Sequence, residues 1–269
     1  MSNSQSGGPW QFLTETIWKS YDSIDPRTTL LGDAETVGNR WRHSIVTRLS
    51  HWSQVTLMIV LVLTGYAIWS GVYGPLNMGI WGGYYVALGL HMWAGILILS
   101  VSLVLFPYYH VIRDHHDVLP DKTDIVLTVN VVLAFFGRRE YPSNYHKARR
   151  TWDQRAREWM TGHPAQKLYF WFMAGFIVLI ALTGFASYSI IAADPPGWIL
   201  TLGFLADSMT LETLKQVHFV LAAVITAMVL MHAYFAFLPS NWDMLKSMIT
   251  GEMRIYYVNS PEEGESEDD

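Results

Sequence analysis

The chain of 269 residues contains no cysteine. That excludes disulfides, cysteine-ligated iron–sulfur clusters within the chain, and covalent c-type haem attachment through C-x-x-C-H. Charge is scarce too: 15% of residues are Asp, Glu, Lys or Arg, against 51% that are hydrophobic. So apolar a composition excludes an ordinary soluble domain of this size and points to a membrane protein. The net charge of −5 gives no basis for nucleic-acid binding. The first residues, MSNSQSGGPWQFLTETIWKS, lack the basic-then-apolar pattern of a cleaved signal peptide, so the first membrane helix is expected to direct insertion.

Four stretches lack Asp, Glu, Lys and Arg altogether: about 52–69, 84–106, 168–191 and 217–238. Each is near the roughly 20 apolar residues that a helix needs to cross hydrocarbon about 30 Å thick. Two further apolar segments, 125–136 and 198–206, are too short to cross. The fold class that follows is an all-α membrane protein, a four-transmembrane-helix bundle. Lys and Arg are also missing from 71–90 and 190–214, while the connection 108–166 holds nine of them. Under the positive-inside rule both termini and that long loop are cytoplasmic. The domain organisation expected is an N-terminal cytoplasmic extension over 1–44, a transmembrane domain over 45–240 that includes the loop, and a cytoplasmic segment over 241–269 with a disordered acidic tail, SPEEGESEDD. LTGYA (63–67) in span one recurs as LTGFA (182–186) in span three, a sign of similar local packing.

What is present, against this apolar background, is histidine. Four of the ten fall within or beside spans: His51, His91, His218 and His232. Taken singly, an intramembrane histidine most often hydrogen-bonds a neighbouring helix. The set is more specific. His218 and His232 are 14 residues apart, so they share one helix face at about 40° and lie about 21 Å apart along its axis. Span directions put His51 and His232 at the inner level and His91 and His218 at the outer level. Two imidazoles facing each other across a bundle suit the axial positions of a b-type haem. Zinc competes poorly, because it usually takes four ligands and no cysteine or apposed carboxylate is at hand. Of the glycines, Gly95 is expected near a cofactor and Gly184 in helix packing. Two haem b groups in series would form an electron path across the bilayer.

Five segments then resemble one family. They are TRLSHW (47–52), LPDKTDI (119–125), AQKLYFWFMAG (165–175), the pair His218 and His232 at their spacing, and KSMITGEMRIYY (246–257). Over about residues 40–258 the chain resembles the membrane cytochrome b (gamma) subunits of respiratory formate dehydrogenases. Related b-type cytochromes serve nickel–iron hydrogenases and thiosulfate reductases. The resemblance implies bis-histidine ligation by His51, His91, His218 and His232. It also implies a menaquinone site beside the inner haem near the start of span three, with ubiquinone as the alternative quinone. The family pattern Asn-Ala-Gly-Gln-Lys aligns there with His163, Pro164, Ala165, Gln166 and Lys167, so histidine replaces asparagine and alanine replaces glycine. His163 at the interface is read as either a proton donor to quinone or a solvated cap. Lys167 is read as a snorkelling anchor or haem-propionate partner.

The implied partners are an iron–sulfur subunit and an outward-facing molybdenum or tungsten formate dehydrogenase subunit, because nothing in this chain binds formate or molybdopterin. The expected location is the prokaryotic inner membrane, multi-pass, in contact with lipid. Two other readings stand beside it: the same role for a hydrogenase, thiosulfate or polysulfide reductase or other molybdenum enzyme, and a haem-free anchor or transporter.

Overall fold

The computed structural model describes residues 35–71, 78–113, 118–139, 152–153, 158–159 and 164–257. Most of the N-terminal extension, the acidic tail, His115, His116, His146 and His163 lie outside the described residues. The chain divides into two compact units, one of residues 44–113 and 171–235, the other of 1–43, 114–170 and 236–269.

The first unit holds the bodies of four helices long and apolar enough to cross a membrane. Hydrocarbon offers backbone groups no partners, so an apolar run of this length must satisfy them internally as helix. Helix α1, Ile45–Ser70, begins where Ser44 accepts the amide of Thr47 (3.2 Å), and it stops at Gly71, whose φ is +63°. Helix α2, Tyr84–Ser100, runs on through π-helical turns at Val101–Leu105 and Tyr108–Arg113. There Ser102 donates to the side-chain oxygen of Gln54 on α1 (2.9 Å), joining the two inner halves. Helix α4 is Pro164–Ile191 and helix α6 is Leu211–Phe237. The Leu238-Pro239 step ends α6, since a residue before proline is turned away from helical backbone. Spans one, three and four begin four to seven residues earlier than their apolar runs, because polar first turns still belong to the helix, while span two begins with its run at Tyr84.

Between α4 and α6 lies the short helix α5, Gly197–Leu202, which carries a fully buried Ile199 and sets Trp198 edge-on against Phe185 of α4. The WILTLGFLA segment is thus a short helix that does not cross, as its length requires.

The second unit contains helix α3, Lys122–Phe135, which is the other short apolar segment. It opens on a capping box in which Asp121 accepts the amide of Asp124 (2.8 Å) and Asp124 accepts that of Asp121 (3.0 Å). Strand β1, Glu35–Trp41, pairs antiparallel with β4, Glu252–Tyr257, with a register shift between Thr36 and Gly38. The tiny strands β2, Trp152–Asp153, and β3, Glu158–Trp159, pair with each other. Helix α7, Trp242–Thr250, leads into β4 through Gly251. The fold is therefore all-α in its membrane part, as composition implied, with a small β-ribbon that the sequence reading treated as tail.

Candidate functional site

His51 sits in the second turn of α1, His91 in the first half of α2, and His218 and His232 on α6. The four meet in two pairs. The rings of His51 and His232 have centroids 6.3 Å apart at an interplanar angle of 54°. Those of His91 and His218 are 6.1 Å apart at 62°. His51 thus lies beside His232 and His91 beside His218, the same couples that the sequence reading groups by depth.

The surroundings of the two pairs differ. In the outer pair each imidazole has the same neighbours on a different helix. Thr64 Oγ1 lies 2.9 Å from His91 Nδ1, and Thr183 Oγ1 lies 2.9 Å from His218 Nδ1. A hydroxyl has one proton to give. Thr64 gives it to the Val60 carbonyl (2.6 Å) and Thr183 gives it to the Ile180 carbonyl (2.9 Å). Toward the imidazoles both threonines therefore accept, and Nδ1 carries the hydrogen in both rings. This hydrogen bonding leaves Nε2 of each outer histidine with a free lone pair.

The residue after each threonine is glycine, and the reason is steric. A Cβ on Gly65 would stand 3.1 Å from His91 Cε1, and one on Gly184 would stand 3.3 Å from His218 Cε1. LTGYA and LTGFA are thus two copies of one device: threonine orients an outer histidine and glycine lets it approach. Gly184, expected in plain helix packing, faces an imidazole. A Cβ on Gly95, expected near a cofactor, would meet only Leu61, at 4.0 Å.

The inner pair has no such device at His51. Its Nδ1 is buried and has no hydrogen-bond partner among the described residues. The His51 ring lies edge-on to Trp52 at 5.5 Å.

Of the expected quinone residues, Gln166 is exposed in the first turn of α4, and His163 lies outside the described residues. Lys167 does not snorkel to solvent. Its ammonium is buried, donating to Asp124 (3.1 Å) and to the Leu119 carbonyl (3.3 Å), and so fastens LPDKTDI to the start of span three. His110 stacks on Phe106, and His43 is buried, with its amide donating to the Gly251 carbonyl (3.2 Å). Thr64, Thr183 and Asp124 are the residues that sequence reasoning missed. The repeated L-T-G motif was the available signal for the threonines. Among the described residues no three His, Asp or Glu side chains cluster to hold a metal directly.

The family model described as prokaryotic cytochrome b561 matches residues 42–251, more than three quarters of the chain. No curated protein matches it.

Proposed function

Since the chain belongs to the prokaryotic cytochrome b561 family, and is thus a multi-pass b-type cytochrome of electron transfer in the prokaryotic inner membrane, we propose that it holds two haem b groups, one at each histidine pair. The residues present fit the group. A first-row metal lies about 2.0 Å from an imidazole nitrogen, and the ring centroid about 1.1 Å behind it, so a metal shared by two rings would set the centroids about 6.2 Å apart. The two pairs stand at 6.1 and 6.3 Å. That match, repeated at two levels of α6, is the observation that carries the reading.

Haem b, when bound, supplies a one-electron ferric–ferrous couple. His91 and His218 would hold the outer group and His51 and His232 the inner one. Two couples about 21 Å apart along α6 make a path through the bilayer. Electrons enter on the outer side from an iron–sulfur subunit attached to an outward-facing catalytic subunit, and leave to a quinone on the cytoplasmic side. LPDKTDI and KSMITGEMRIYY support formate dehydrogenase as that catalytic partner. Quinone reduction takes up two electrons and two protons. In this reading Gln166, exposed at the start of span three, hydrogen-bonds a quinone oxygen, and His163 supplies a proton. Lys167 keeps this end of the span fixed through Asp124.

A reduced-minus-oxidised spectrum of the purified chain tests the haem reading, with a b-type signal expected; absence of one removes it. Co-purification of a tagged chain with an iron–sulfur protein tests the partner. Quinone reduction that survives His163→Ala eliminates the role given to that residue.

A further inference from the structure

We propose that Thr64 and Thr183 hold the outer haem at a lower reduction potential than the inner haem, and so drive electrons from the outer to the cytoplasmic side. This rests on the two-haem reading and adds to it a role for two residues that set the potential of one haem against the other.

The basis is an asymmetry between the two pairs. Both outer histidines donate Nδ1–H to a threonine oxygen at 2.9 Å, and both threonines have their own proton committed elsewhere. An imidazole that donates at Nδ1 shifts electron density toward Nε2 and becomes a stronger ligand. A stronger donor on both faces of the iron favours ferric over ferrous, and the potential falls. His51, by contrast, has a buried Nδ1 with no acceptor among the described residues, so at least one inner ligand lacks this reinforcement. With haem held at both pairs, transfer of one electron from the outer ferrous to the inner ferric group would therefore be downhill. No proton or further reactant is needed for that step.

The threonines do not touch the iron. They act through the imidazoles as positioning residues, which makes conservative variants informative. Thr→Val keeps the branched shape and removes the acceptor; Thr→Ser keeps the acceptor. The twin placement argues against coincidence: Thr64 and Gly65 serve His91 from α1, and Thr183 and Gly184 serve His218 from α4. A threonine needed only to satisfy its own helix would have no reason to sit beside a ligand twice.

The test is potentiometry of the haem-loaded full-length chain, followed in the visible spectrum. Two potentials are expected. The lower one should rise in Thr64→Val and in Thr183→Val, rise further in the double variant, and stay in place in Thr64→Ser, with the higher one unmoved throughout. A fully haem-loaded valine variant with unchanged potentials, or one in which only the higher potential moves, overturns the proposal. His51→Ala provides a check that spares the threonines: the haem left at the outer pair should titrate at the lower wild-type potential. If it titrates at the higher one, the proposal fails even where the valine variants do not load. A chain that binds no haem fails the two-haem reading instead, so the two failures are distinguishable.

Discussion

The imidazole of His91 lies so close to Gly65 that a methyl group there would stand 3.1 Å from its Cε1, while Thr64 holds the same ring from Nδ1. The ring is fixed on two sides, so it cannot yield to added volume without losing the threonine. Gly65→Ala is expected to weaken haem at the outer pair about tenfold, the lower end of the usual loss when a ligand's support is disturbed, and to leave the inner pair intact. Gly184→Ala should behave alike, since its clearance is 3.3 Å. Gly95→Ala, whose Cβ would meet only Leu61 at 4.0 Å, should leave both imidazole pairs in place. Haem loading of the three variants, measured side by side, checks this ordering.

Lys167 and Asp124 form a buried ion pair 43 positions apart in the chain. Removing one partner strands the other charge away from water. Asp124→Ala is expected to cost roughly 3–5 kcal/mol of stability, because the buried ammonium of Lys167 loses the carboxylate it donates to. Loss of the capping box adds to the cost. The double replacement Lys167→Met with Asp124→Leu should recover much of the loss. Thermal unfolding in detergent distinguishes these outcomes; a double variant as unstable as the single one would contradict the pairing as the cause.

Gly251 carries φ +89°, and a Cβ there would run into the ring of Trp41. Its carbonyl accepts the amides of Arg42 (2.7 Å) and His43 (3.2 Å) at the end of the β-ribbon. Gly251→Ala combines an unfavourable backbone with a collision and should cost about 1–3 kcal/mol. Faster hydrogen exchange at β1 and β4, with the histidine pairs unaffected, is the expected readout.

The four spans were legible because hydrocarbon imposes a length and a composition on any helix that crosses it. Their starts were less so: Thr47 and Ser50 are polar yet buried in the first turns of α1, so the helix begins before its apolar run. The histidine pairing followed from one face of α6 and the direction of each span. The supporting threonines did not, since a hydroxyl in an apolar helix reads as bonded to its own backbone, which both also are. The LTG repeat was visible, but its partners lie 27 and 35 residues away on other helices. The β-ribbon was hidden for the same reason: ETVGNRW, broken by a glycine, gives no sign that its partner is EMRIYY some two hundred residues on.

Haem content per chain, measured on the purified full-length protein and on histidine variants, tests the double-pair site most directly. Two haem b per chain are expected, falling to one in His91→Ala, to one in His51→Ala, and to none when His218 and His232 are both replaced by alanine. A single haem in the unaltered chain, or two that survive either single replacement, would contradict it.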